Sequence, residues 1–403
     1  MLETIHEFAN AKLEGRGEAE AVRRAHAEYF LALAEEADPM LWGAEDAAWL
    51  DRLEQEHDNM RTALSWAIEH EEGELALRLS GALQWFWFAW GYYDEGRSWL
   101  EQALVKEDRA STAVRAKGLD AVGWLAHEQG DIDRATAAAE KGLKLSNEAG
   151  VGNVVVADLK HVLGETARQR GDYDLAMEFY DEGLKLYQEA GDRRGVAWSL
   201  GSLANAAGDR GDHEQAKRLY EEGLVLSRRL GGARPLGAYL LSLGYEFLLE
   251  GNLERAAELN EEAEALFRKQ GRRGDLRHVL PNLGWVALLQ GVHERAEAVH
   301  EECLVLCRDL GDRLTASESI EGLACTAGAK GEAGRASVLF GAAEALREAA
   351  GYQLAPRDRS LREPYLTAAR SQVGEAAWSE AWEEGRSMQF EDAIVYALED
   401  PNG

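Results

Sequence analysis

Proline is nearly missing from this chain, with six in 403 residues, and cysteine is scarcer still, with three. So few prolines leave the backbone free to run in long hydrogen-bonded helices, and abundant Ala, Leu, Glu and Arg favour helix nearly everywhere. No alternating apolar pattern marks a strand. Cys303, Cys307 and Cys325 are too few for a disulfide framework and fit a reducing cytoplasm. No stretch approaches the roughly eighteen apolar residues of a membrane span. The opening "MLETIHEFANAKLEGRGEAE" carries acids inside its apolar pattern, which argues against a signal peptide. Basic charge is short as well: 44 Lys and Arg face 73 Asp and Glu, a net charge of −29 spread along the chain. A polyanion needs clustered Lys and Arg to displace counterions, so neither nucleic acid nor an anionic membrane is expected as a direct partner. A basic peptide remains open.

Catalytic signatures are absent too. The chain has no G-x-x-x-x-G-K-[ST] loop to cradle phosphate, no G-x-S-x-G elbow, no H-E-x-x-H and no C-x-x-C pair. An enzyme is therefore not expected, nor a cofactor.

What the chain has is a period. Glycines stand at 130, 171, 211, 251, 291 and 331, and a second set stands twenty residues later at 150, 191, 231, 271, 311 and 351. Seven residues before each first glycine sits a small residue (Gly123, Gly164, Ala204, Gly244, Gly284, Ala324), preceded by an apolar one. Five after it is always alanine, from Ala135 to Ala336. The segment "RGDYDLAMEFYDEGLKLYQEAGD" shows the logic. Leu175, Ala176, Phe179, Tyr180, Gly183, Leu184 and Leu186 form one apolar helical face, Gly171 and Gly191 stop helices, and Asp172 and Asp192 start the next ones. A fixed period of about 40 residues means stacked hairpins, because one hairpin cannot bury its apolar face alone. A degenerate seventh unit precedes the six, with Leu83, Gly91-Tyr92-Tyr93, Leu100 and Ala103.

Leu163-Gly164, Gly171-Asp172-Tyr173, Ala176 and Tyr180 resemble the signature of the tetratricopeptide repeat family, with a longer second helix than usual. The expected fold is all-α: a right-handed superhelical solenoid of about seven tetratricopeptide-like hairpins. Residues 74–351 form the array, 1–73 an N-terminal helical cap and 352–403 a C-terminal helical cap. In the first cap, helices are expected on the faces Leu2, Ile5, Phe8 and then Val22, Ala25, Tyr29, Leu33. In the last cap, two helices are expected after a connection at "LAPRDRSLREPY". The segments "MLETIHEFA", "LEQEHDNMRTAL" and "SVLFGAAEALREAAG" look like the sensor arms of bacterial STAND-class regulators, including large ATP-binding LuxR-type transcription regulators. There, "MLETI" falls near the end of a winged-helix module that follows an NB-ARC domain. The resemblance implies a non-catalytic arm that binds a ligand or protein and holds or releases an NTPase domain. The alternative is a free-standing peptide-binding scaffold.

In stacked hairpins of this family the first helix of each unit lines the groove. The residue after the small position reads Trp85, Trp124, Glu165, Asn205, Tyr245, Trp285 and Cys325. Four earlier stand Asp120, His161, Leu241 and Glu321; three later stand His127, Arg168, Leu248 and Leu288. The expected groove is ionic in its N-terminal half and apolar in its C-terminal half, suited to a small amphipathic ligand or an extended peptide. The alternative is that Trp124, Tyr245 and Trp285 wedge between helices. The aromatic run "WFWFAWGYY" at 85–93 reads as core or as ligand surface. His300, Cys303 and Cys307 share one helical face, with Cys325 on the next helix, a set that could hold zinc. Cys303, however, falls in a small-residue position and His300 in one filled elsewhere by Tyr180, Tyr220 and Phe340. Core packing is therefore expected there, and no metal.

Overall fold

A computed structural model describes residues 12–105, 109–350 and 356–399. The expected face of Leu2, Ile5 and Phe8 lies outside the described residues. No strand occurs among those described. Full-length hairpins in the first of two compact units are Thr112–Glu128 with Ile132–Ala149 and Asn153–Gln169 with Tyr173–Ala190, and in the second Ala233–Leu249 with Leu253–Lys269, Arg273–Leu289 with His293–Leu310, and Arg313–Lys330 with Ala333–Ala349; the helices Arg193–Arg210 and His213–Leu230 lie between the two sets in the chain. A shorter one, Gly73–Ala82 and Gln84–Trp90 with Tyr93–Leu104, precedes them.

The recurring letters have separate physical jobs. Gly171 and Gly191 take φ of +83° and +71°, a region that costs any residue with a Cβ, and so they end their helices. Asp172 accepts from the Leu175 amide at 3.3 Å, and Asp192 from the Arg194 and Gly195 amides at 3.0 and 3.3 Å, so each satisfies amides that the helix start leaves open. The invariant alanines, among them Ala135, Ala176, Ala256, Ala296 and Ala336, are fully buried. The small position seven before the glycine makes room for a ring or amide on the second helix of the same hairpin. A Cβ on Gly164 would come within 2.3 Å of the Tyr180 ring, one on Gly244 within 2.5 Å of Asn260, and one on Gly284 within 2.3 Å of His300. Tight packing within each hairpin is thus encoded by paired small and large positions.

The chain forms two compact units, one of residues 1–210 with 225–232, the other of 211–224 with 233–403. The sequence marks no break there, because the period runs on through it. In the first unit, helices Ala19–Ala37, Asp46–Gln55 and His57–Glu69 precede the array, with a 3₁₀ turn at Asp38–Trp42. The buried face of the first is Ala27, Phe30, Leu31 and Ala34, not the expected Val22, Ala25 and Tyr29. Val22 and Tyr29 are 46% and 59% exposed, and only Leu33 of the expected set is buried. Both faces carry apolar residues at helical spacing, and the choice between them is made by the neighbouring helices. The run at 85–93 divides: Phe86 and Trp87 are core, Trp85 is half-buried and Trp90 is exposed.

In the second unit the expected connection "LAPRDRSLREPY" is largely a helix, Pro356–Val373, followed by Glu375–Arg386 and Phe390–Leu398. A proline in the first helical turn is tolerated because its missing N–H has no partner there anyway, whereas an interior one such as Pro364 costs about 3 kcal/mol by propensity. Packing offsets that cost. Ala369 is fully buried against Gly328, and the helix crosses successive first helices of the array. The next helix crosses Ala333–Ala349 at backbone contact: a Cβ on Gly385 would lie 1.9 Å from the Val338 carbonyl oxygen, and one on Gly341 2.1 Å from that of Trp382.

Candidate functional site

In the first unit, Trp85, Trp124 and Trp198, on the helices Gln84–Trp90, Thr112–Glu128 and Arg193–Arg210, come together, and Trp42 reaches them from the 3₁₀ turn. Ring centroids lie 4.6 Å apart for Trp42 and Trp85, 5.5 Å for Trp85 and Trp198, and 4.8 Å for Trp124 and Trp198. Beside this cluster opens a pocket of about 280 Å³. Its lining includes Trp42, Trp85 and Trp198 together with Asp120 and Asp158.

Behind the pocket the predicted ionic residues are joined in a network. His161, fully buried, stacks on Trp198 at 4.2 Å and lies 3.1 Å from Ser202 Oγ through Nε2. Ser202 donates to Glu165 Oε1 at 3.2 Å, so the His161 proton resides on Nε2 and is donated to that hydroxyl. Arg168 binds Glu165 Oε2 through Nε and Nη2 at 3.1 and 3.0 Å and Asp209 through Nη1 at 2.9 Å. Burial lowers the His161 pKa to about 4, leaving a neutral ring at pH 7. Burial alone would raise Glu165, but Arg168 first, then His127 and His161, hold it at about 2. This network keeps Glu165 ionised, while His161 Nδ1 is left without a hydrogen-bond partner. His127 sits edge-on to Trp124 at 5.9 Å, with Nδ1 3.3 Å from Glu128; Asn205 is half-buried.

The pocket carboxylates are different. Lys117 pairs with Asp38 at 2.7 Å, and Arg194 donates to the Pro39 carbonyl at 3.0 Å and neighbours Asp192. Asp158 accepts from the Tyr187 hydroxyl. Asp120 is 5% exposed and its Oδ1 has no partner; Gln84 lies close enough to favour its charge without making a hydrogen bond of ordinary geometry. Burial and then the charge of Asp158 raise the Asp120 pKa well above the carboxylate range, and burial raises Asp158 to about 7.

The remaining predicted positions lie in the second unit, and there the structure departs from the expected open apolar groove. Tyr245 donates to Asp358 at 2.5 Å, Trp285 is 8% exposed with its ring 6.4 Å from Tyr365, and Glu321 pairs with Arg362. All three partners belong to the helix Pro356–Val373. Leu248 and Leu288 are buried, and Leu241 is half-buried with its carbonyl accepting from Asn282 at 3.4 Å. The groove positions there face the chain's own helix because that segment, read as a connection, is helical and docks through Asp358, Arg362, Tyr365 and Ala369. His300 is fully buried between Gly284 and Gly322, and Cys303 and Cys307 are buried with sulfurs 3.9 Å apart.

Sequence reasoning missed Lys117, Asp158 and Trp198. Each lies seven residues before a groove position (Trp124, Glu165, Asn205), one more turn along the same helical face, so extending the spacing would have found them. Trp42 and Tyr187 carried no such signal.

The tetratricopeptide repeat family matches residues 155–229 and 280–314. Proteins of Mycobacterium tuberculosis and Mycobacterium bovis, provisionally named HTH-type transcriptional regulators, are 32% identical over 159 residues. That match spans 37% of this chain and only 18% of those proteins. Among solved structures, a STAND protein with a tetratricopeptide repeat sensor from Pyrococcus horikoshii aligns at TM-score 0.59 and 14% identity, over 86% of this chain and 54% of that one. The apo quorum sensor NprR of B. thuringiensis aligns at 0.57 and 12% identity, over 94% and 99%. A Rap protein complexed with Competence and Sporulation Factor aligns at 0.55 and 11% identity, over 88% and 99%. At such identities the likeness is one of fold. Among the described residues, no helix is long and apolar enough to cross a membrane.

Proposed function

We propose that this chain is a non-catalytic binding arm, sensing a peptide or small ligand on the inner face of its first unit for a STAND-type signalling regulator. The observation that carries it is the pocket beside Trp85 and Trp198, a recess with aromatic walls and a few convergent polar groups. The likeness to a STAND protein with a repeat sensor and the match to proteins named as transcriptional regulators support the regulatory context. In that context a ligand acts only through its differential affinity for two states of the regulator; moving the equilibrium from 1:99 to 99:1 takes about 5.5 kcal/mol.

The reading frame upstream of Met1 tests the context. A phosphate-binding loop encoded there supports the regulator arm. A stop codon overturns it in favour of a free-standing peptide-binding scaffold, a reading favoured by the likeness to Rap and NprR, which spans 99% of each of those chains. Binding itself is tested by a thermal-shift screen of peptides and metabolites. A ligand that stabilises the native chain but not Trp198→Ala is the expected result.

A further inference from the structure

The charges around the pocket do not balance. Lys117 and Arg194 are its cations; the first is held by Asp38 and the second by the Pro39 carbonyl and Asp192. Asp158 accepts from the hydroxyl of Tyr187 and Asp120 Oδ1 makes no hydrogen bond, with the charge of Lys117 near both and Gln84 beside Asp120. A buried carboxylate without a partner is costly, and a folded chain tolerates it where something else completes it. The same lining holds three tryptophans, Trp42, Trp85 and Trp198, and a tryptophan ring face attracts a cation within about 6 Å. Carboxylates and indole rings lining one recess of about 280 Å³ suit one positively charged group of modest size.

We propose that this pocket binds an organic cation, an ammonium or guanidinium head, whether of a free small molecule or of a Lys or Arg side chain of a peptide. The inference rests on the reading of the chain as a binding arm and names the ligand chemistry of that same site. Asp120 and Asp158 take the charge, and Trp85 and Trp198 take the apolar stem and the face of the cation. A neutral isostere gains the stacking but leaves Asp120 unpaired, so selectivity comes from the carboxylates. Raised carboxylate pKa values in the empty pocket mean that a cation drives proton release, and binding weakens as pH falls. Tyr187, Asp192, Asp38, Lys117 and Arg194 face the same space and set that titration.

The test is titration of the full chain, by calorimetry and tryptophan fluorescence, with acetyl-arginine amide, free arginine, choline and the neutral acetyl-citrulline amide. Cations are expected to bind at least tenfold more tightly than the citrulline compound, with loss of at least tenfold in Asp120→Asn and in Asp158→Asn. Circular dichroism of both variants should be unchanged. Acetyl-arginine amide binding better than free arginine identifies a peptide side chain as the source; the reverse order identifies a free small molecule. Citrulline amide binding as tightly as arginine amide, or unchanged affinity in the Asp120→Asn, Asp158→Asn double variant, overturns the proposal. If cations fail while some other ligand binds in a Trp198-dependent way, the cation assignment falls and the binding arm stands. No ligand of any charge stabilising the native chain overturns both.

Discussion

Two buried carboxylates, one in each compact unit, occupy the same position of the repeat, four residues before the groove position, and meet opposite fates. Asp120 in the first unit has a free oxygen beside an open pocket. Glu321 in the second is clasped by Arg347 at 3.3 Å and by Arg362. The repeat delivers an acid to the inner face in both cases. What differs is that the second unit brings its own helix, Pro356–Val373, to cover that face, while the first leaves its pocket open.

The contrast can be broken where it is strongest. Glu321→Ala strands two buried guanidiniums and should cost about 3–5 kcal/mol, read from the urea midpoint. A change of under 1 kcal/mol would mean that the covering helix is not held by this pair. Next, Trp285→Ala should cost about 3 kcal/mol because its ring is buried beneath Tyr365, whereas Trp85→Ala, at the pocket wall, should cost about 1 kcal/mol. Equal costs would erase the distinction between covered and open faces. Smaller again, Gly385→Ala forces a Cβ onto the Val338 backbone and should cost about 2 kcal/mol, with hydrogen exchange rising first in the last three helices.

The smallest effect sharpens the comparison through pH. The Asp120 and Asp158 pKa values are raised in the folded state, so the native chain holds protons that the unfolded chain has released. Stability from Asp158 is full below about pH 4 and is lost as pH rises through about 7. Asp158→Asn should therefore match the native chain at pH 4 and exceed it by about 1 kcal/mol at pH 8. Glu165 has the opposite sign: its stabilisation is present above the ordinary Glu value and lost as pH falls towards about 2. Urea midpoints at pH 4, 6 and 8 for native and Asp158→Asn chains check the slope.

Much of the fold was legible because each hairpin is specified locally. Gly171 needs its left-handed φ whatever surrounds it, Asp172 caps its own helix, and Gly164 answers Tyr180 sixteen residues away. Of the positions expected in the groove, Trp85 and Trp124 lie 6.2 Å apart, and Trp85 and Asp120 line one pocket. The content of the groove was less legible. His161, Glu165 and Arg168 proved to be engaged with one another, and Asp158 and Trp198 lay one turn beyond the face considered. Helix Ala19–Ala37 shows the same limit in miniature, since two apolar faces competed and only its neighbours chose.

By itself, then, the sequence determined the period and the helix ends, because those depend on backbone conformation and on contacts within one hairpin or between adjacent ones. The tertiary structure alone decided which part of the inner face stays open. Tyr245 meets Asp358 across 113 residues, and Arg194 meets the Pro39 carbonyl across 155, separations over which no local pattern carries information. Whether a segment such as Pro356–Val373 docks depends on the summed packing that it finds there, which offsets the cost of its interior proline only in place.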